Sequence, residues 1–319
     1  MKTFLALFTL ALSVLGYSQD YNFKPNWNEG TVKHIKIVRI ERTYEDETLI
    51  SDTTLYNEAQ IKVLKDNRND YTLEVLFENQ ALRAAVRLYE KLGEELKDLQ
   101  DLRLIFSVKK ETAESTLLNW KEAQRFMNTS FDQIYSVITD KVPDASPYIE
   151  LLFLPLQEIF DNKENLEEYM QTNIGYILIP FNKNFQIGKT ITHTETQKNP
   201  FGSMQEISAT TLLTLESVNE HSKTGTIHQE IKLDLTEFTE MIKSMVSRMS
   251  QSVSDEELSP EKIKEIDAFE IDVKNNQVII FNYETNWVTK VIRKEVVSGV
   301  NPKKAVKTKK ETITTIDIQ

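Results

Sequence analysis

The chain contains no cysteine. That excludes disulfides, thiolate nucleophiles, thiolate metal ligands and a lipid anchor on an N-terminal cysteine. Glycine and proline are scarce, at eight each, which is too little turn chemistry for a sandwich of many short strands. Long strands and long helices are expected instead. Past the N-terminus no apolar run approaches the roughly 20 residues a helix needs to cross a bilayer, so no transmembrane anchor is expected. Positive charge is in the minority, with 38 Lys and Arg against 49 Asp and Glu and a formal charge of −11. Such a surface repels phosphate backbones and anionic head groups, which argues against nucleic acid and against electrostatic membrane docking. Chemical motifs are missing too: there is no G-x-S-x-G elbow, no glycine-rich phosphate loop and no H-E-x-x-H helix. Ser298-Gly299 reads as a turn. No cofactor, metal or catalytic residue is indicated, and an enzyme is the less favoured reading.

What is present begins with residues 1–18. Lys2 precedes an apolar run, Phe4 to Leu15, too short to span a bilayer, and Gly16 and Ser18 stand at the −3 and −1 positions of a signal peptidase site. This is the pattern of a secretory signal peptide, and it places the mature chain in the periplasm or outside the cell. Removing these eighteen of 319 residues leaves 301, with 37 basic against 49 acidic. Hydrophobic residues make up 40 % and charged residues 27 %, the balance of a folded protein rather than a disordered one.

From Thr31 the texture is β, through Ile40, then Thr53 to Leu64 and Tyr71 to Phe77, the last alternating as Tyr71, Leu73, Val75, Phe77. Leu82, Ala85, Val86, Tyr89, Leu92, Leu96 and Leu99 recur at helical spacing. Leu104 to Val108 and Thr116 to Asn119 return to β. A helix-rich centre follows: Ala123 to Ile138, stopped by Pro143; Tyr148 to Phe160, opened by Ser146-Pro147 and kinked at Pro155; and Glu164 to about Asn173. In the second half a strand with His193 precedes the hairpin Ile207–Val218 against Gly225–Leu233. Asp234-x-x-Glu237 then opens a helix, and Ser259-Pro260 a short one. Strands Phe269 to Val273 and Val278 to Tyr283 flank a turn at Lys274-Asn275-Asn276, and Val288 to Val297 and Thr312 to Ile318 close the chain. Trp27-x-x-Gly30 precedes a strand with His34 as Phe185-x-x-Gly188 precedes one with His193, so an internal duplication and a mere likeness between antiparallel meanders are equally open.

Four candidate sites arise. Met241, Met245 and Met249 stack along one helix face, where adaptable thioethers suit a variable apolar pocket, although core packing demands the same pattern. Tyr148, Leu152, Phe153 and Leu156 could line a lipid cavity or fill a core. His34 and His193 would be equivalent strand positions in a duplicated fold but lack ligand spacing. Lys303, Lys304, Lys307, Lys309 and Lys310 could meet an acidic partner, or guard a terminal edge strand or cover a solvated loop.

The signal ending in Tyr17-Ser18-Gln19-Asp20 resembles exported envelope proteins of the Bacteroidetes, as do Phe185-x-x-Gly188 and Asn199-Pro200-Phe201-Gly202. The strand-rich halves with helices laid across them look like the lipoprotein-carrier superfamily, whose curved antiparallel sheet encloses an apolar cavity. The chain is longer than a typical carrier and no carrier motif aligns residue by residue, so no binding residue is carried over. The fold expected is α+β: long antiparallel strands in one or two curved sheets with amphipathic helices covering one face. The expected divisions are residues 1–18 as signal, 19–160 as an N-terminal half, 161–184 as a helical connector and 185–319 as a C-terminal half. The function expected is non-catalytic binding of an apolar small molecule, such as a lipid, in the cell envelope. Alternatives are an interaction protein with an envelope partner, and a hydrolase or metal enzyme with an unrecognised site.

Overall fold

The computed structural model describes residues 19–78, 102–141, 162–171, 174–198, 206–237, 239–240, 243, 271–301 and 306–319. In chain order these form β1 (Asp20–Asn22), β2 (Val32–Glu45), β3 (Thr48–Asp66), β4 (Asp70–Glu78), β5 (Leu102–Lys109), β6 (Ser115–Leu117), α1 (Trp120–Lys141), α2 (Lys163–Gln171), α3 (Gly175–Leu178), β7 (Asn184–Gln186), β8 (Thr190–Lys198), β9 (Glu206–Asn219), β10 (Thr224–Leu233), β11 (Ile271–Asn282), β12 (Trp287–Asn301) and β13 (Val306–Ile318). Eleven strands make one antiparallel sheet in the order β6-β5-β4-β3-β2-β13-β12-β11-β10-β9-β8, and β1 pairs with β7 apart from it.

The strands alternate as half-buried strands do. Ala59, Ile61 and Val63 of β3, Tyr71, Leu73 and Val75 of β4, and Leu102, Leu104, Phe106 and Val108 of β5 all face one core. So do Leu213 and Leu215 of β9, Ile227 of β10, Ile279 and Phe281 of β11, Val288 and Val291 of β12, and Ile316 and Ile318 of β13, within the same cluster. On a flat sheet β5 and β9, eight steps apart, would be separated by about 38 Å at ~4.8 Å per strand. One shared core therefore requires the sheet to curl.

Residues 19–30 and 174–188 fill the curl. Phe23 sets its ring 4.7 Å from that of Phe281 on β11. Trp27, fully buried, stacks on Trp287 of β12 at 4.8 Å and leans on Tyr71 of β4 at 5.2 Å and on Phe181 at 5.8 Å. Its indole Nε1 donates to the Asn286 carbonyl at 2.6 Å, so the one polar atom of the ring is satisfied. Asn182 ties this plug across the opening: its backbone N–H donates to the Phe23 carbonyl and its side-chain amide to the Lys110 carbonyl in the β5–β6 turn. α2 is fastened to β6 by Leu117 N–H donating to Glu167 at 2.9 Å and Gln171 donating to the Ser115 carbonyl at 2.6 Å.

Both aromatic-x-x-Gly entries build the same turn. Gly30 (φ 82°) and Gly188 (φ 76°) sit third in turns closed by Thr31 N–H to Asn28 O and Lys189 N–H to Gln186 O. Positive φ at that position is the geometry of a type II turn, which glycine adopts without strain. Each glycine N–H then donates to the neighbouring strand, to Val63 at 2.8 Å and to Leu215 at 2.9 Å.

Four expectations are corrected. The described fold is mostly β, and among the described residues its core is filled by a plug of aromatic loop residues and the small β1–β7 sheet, joined by Ala123, Leu166, Met170, Ile177 and Leu178 from α1, α2 and α3, rather than by a layer of helices over one face. The helical spacing at 82–99, 148–160 and 244–249 lies outside the described residues. Lys274-Asn275-Asn276 is no turn: β11 runs unbroken through it, paired with Val296, Glu295 and Lys294 of β12 and with Lys232, Ile231 and Glu230 of β10. Polar residues there mark the less buried end of a long strand. Ser298-Gly299 likewise lies inside β12, opposite Lys309 and Thr308. Finally β13, with its lysines, is no edge strand; it lies between β12 and β2 at the centre of the sheet.

Candidate functional site

Along the core face the register stacks residues in cross-strand rows. One row is apolar: Ile37, Ile316, Val291, Ile279 and Ile227. The next row, two residues along each strand, is polar on the central strands, with Arg39, Thr314, Arg293, Gln277 and Gln229 between Leu55 on β3 and Leu213 on β9. The third adds Glu41, Thr312 and Glu295, and Lys310 follows on the same face. This face thus changes from a floor of buried core to a charged belt over one two-residue step, about 6.6 Å along a strand.

The belt is half-open to water. Arg39 is 47 % exposed and pairs with Glu41 at 2.7 Å, and Arg293 is 46 % exposed and pairs with Glu295 at 3.0 Å. Lys310 reaches Glu41 from the other side at 3.1 Å. Burial raises the Glu41 carboxyl, but the Lys310 hydrogen bond and the Arg39 and Lys310 charges outweigh it and hold it below the usual carboxylate range. Gln277 donates to the buried Gln229, closing that end of the row. Arg39 and Arg293 flank Thr314 on the two neighbouring strands, so their backbones lie about 10 Å apart. Two guanidinium forks with a hydroxyl between them suit a carboxylate or phosphate group.

The opposite face of the same strands carries a separate network. Glu311 is buried, with Lys294 at 2.7 Å and Arg42 at 3.8 Å, and Arg42 also reaches Asp52 at 3.3 Å. The Lys294 hydrogen bond is the main cause that holds the Glu311 carboxyl below its ordinary value. Elsewhere this outer face bears Lys36, Asp317 and Lys290 on one rung and the pair Glu74–Arg103. Val38, Ile40, Tyr56, Ile292 and Ile313 share this outer face with the charges, Tyr56 and Ile292 exposed.

The histidine candidates do not meet. His34 lies on β2 and His193 on β8, six strands apart. His193 is 66 % exposed beside Glu195 at 3.4 Å. His34 lines a hollow of 340 Å³ with Lys36, Glu58, Gln60, Leu76 and Gln319. Among the described residues no group of three or more His, Asp or Glu side chains is placed to hold a metal, and no helix is long and apolar enough to cross a membrane. Met241, Met245, Met249, Tyr148, Leu152, Phe153 and Leu156 lie outside the described residues, as do Lys303 and Lys304. Lys309 stands 4.7 Å from the Tyr44 ring and Lys307 donates its backbone N–H to Asp46. Sequence reasoning passed over Arg39, Arg293 and Thr314. Their signal was the continuation of period-two spacing from Ile35 and Ile37 into Arg39, but the rows come together only through cross-strand register.

No family model matches the chain, and no curated protein matches it. Among solved structures, the chain is similar to a Bacteroides fragilis protein with a YmcC-like fold, taken to be exported, at 8 % identity over 91 % of this chain and 97 % of that one, with a TM-score of 0.22. It is also similar to the outer membrane protein OprG of Pseudomonas aeruginosa (6 % identity, 92 % and 96 % covered, TM-score 0.16). A third is Ail, the attachment invasion locus protein of Yersinia pestis (8 % identity, 92 % and 100 % covered, TM-score 0.16). Scores of this size establish neither a shared fold nor a shared activity. The resemblance to lipoprotein carriers finds no support in these likenesses.

Proposed function

We propose that the protein is an exported, non-catalytic binding protein for an amphipathic anionic ligand, of the fatty-acid or lipid class, held on the core face of the curled sheet. The acyl part lies toward the row Ile37, Ile316, Val291 and Ile279, and the anionic head lies between Arg39 and Arg293 beside Thr314. The observation that carries this reading is the abrupt change along one sheet face from a buried apolar row to a half-exposed arginine row. Apolar walls with a few placed polar groups are the common form of a small-molecule site. The test is organic extraction of the purified mature chain followed by mass spectrometry, together with uptake of a fluorescent fatty acid. Co-purifying lipid or saturable uptake supports the proposal; neither lipid nor uptake overturns it.

A second reading, an envelope interaction protein, rests on the β2–β3 hairpin. Its residues 48–56 are exposed in succession, Leu49 and Ile50 among them. It predicts capture of one envelope partner that is lost when Leu49 and Ile50 are both changed to Ser.

A further inference from the structure

Among the described residues the sheet ends at β6 on one side and β8 on the other. β6 has only three residues, whereas β8 has nine. Sheet edges recruit other strands unless proline, lysine or a bulge blocks them, and β8 carries no proline and no lysine before Lys198. Residues 192–196 are exposed in succession.

Their order is Thr192-His193-Thr194-Glu195-Thr196, which is complementary to itself when reversed. Antiparallel pairing of two copies about Thr194 sets Thr192 opposite Thr196, His193 opposite Glu195, and Thr194 opposite its own copy. Within one chain His193 and Glu195 already lie on one face, 3.4 Å apart. A second copy turns that pair into a ring of two imidazoles and two carboxylates with unlike groups adjacent along and across the strands. Threonine pairing is also how β8 meets its inner neighbour: the Thr190 and Thr214 hydroxyls are 2.8 Å apart, and those of Thr194 and Thr210 are 3.4 Å apart.

We propose that β8 is a self-association edge, through which two copies of this chain form a two-fold dimer by antiparallel β8–β8 pairing centred on Thr194. Such an interface is isologous, each copy offering the same strand. Its small extent gives a reversible, concentration-dependent dimer. This proposal is independent of the ligand reading.

Sedimentation of the mature chain at rising concentration, up to the sub-millimolar range, tests it with two charge variants. Glu195→Lys weakens the dimer by about tenfold or more, and the double exchange His193→Glu, Glu195→Lys restores it, because each lysine then stands opposite a glutamate of the other copy. The absence of native cysteine supplies a second arm that needs no loss of stability. Thr194→Cys, on the two-fold axis, gives an oxidised covalent dimer, and Thr190→Cys, displaced from it, does not. A wild type that stays monomeric overturns the proposal. So does a Glu195→Lys variant that associates as well as wild type, a double exchange that does not restore the dimer, or equal cross-linking at the two cysteine positions.

Discussion

At the scale of single residues, Trp27 holds the sheet in its curl. It touches β4 and β12, four strands apart, and its indole N–H is spent on a backbone carbonyl. Trp27→Ala removes the largest buried ring of the plug and is expected to cost about 3–5 kcal/mol, read from denaturant unfolding. Gly225 is opposed to Phe281 across β10 and β11, and a Cβ there would fall on the Phe281 ring. Gly225→Ala should therefore destabilise by about 1–3 kcal/mol, while Thr224→Ala one residue away should cost much less. Glu311 gives a pH signature. Its folded carboxyl titrates below its unfolded value, so its contribution is present above about pH 4.5 and disappears as pH falls through the lower, folded pKa. Glu311→Gln should lower stability at about pH 7 by about 1 kcal/mol, and the gap from wild type should close in the acid limb of a pH series.

At the scale of elements, adjacent residues of β13 explain how a lysine-rich strand occupies the centre of a sheet. Lys310 turns to the core face and meets Glu41, whereas Glu311 turns outward and meets Lys294 and Arg42. Neighbouring residues on β2, Glu41 and Arg42, answer them in the same alternation. A one-residue slip would set each charge on the wrong face, so the pairs specify register. Lys310→Glu should destabilise, and adding Glu41→Lys should recover about 0.5–1 kcal/mol, a coupling measurable in a double-mutant cycle. Period-two spacing and turn residues made much of this level legible in the sequence. The hairpin of β9 and β10, the helical stretch at 120–141 and the aromatic-x-x-Gly entries fall where spacing placed them. Lys274-Asn275-Asn276 misled because a polar run has the composition of a turn, although long neighbours on both sides extend it as strand. Lysines at 303–310 suggested an edge for the same reason: strand order is a long-range property that local composition does not carry.

At the scale of the whole molecule, one sheet rolls around residues 19–30 and 174–188, its inner face apolar where it packs in the core and charged along the belt beyond it. The alternation that builds the floor was readable strand by strand. The arginine row was not, since Arg39, Thr314 and Arg293 are brought together by pairings that span most of the chain length. The central claim is that this row and the floor beneath it take an amphiphile by its anionic head. Its most direct test is an equilibrium titration of a fluorescent fatty acid and its uncharged methyl ester into the wild-type chain and into the double variant Arg39→Gln, Arg293→Gln. Saturable binding with a preference of about tenfold for the acid, lost in the double variant while the fold is retained, is the predicted result. Equal binding of acid and ester by the wild type, or an unchanged preference in the variant, would contradict it.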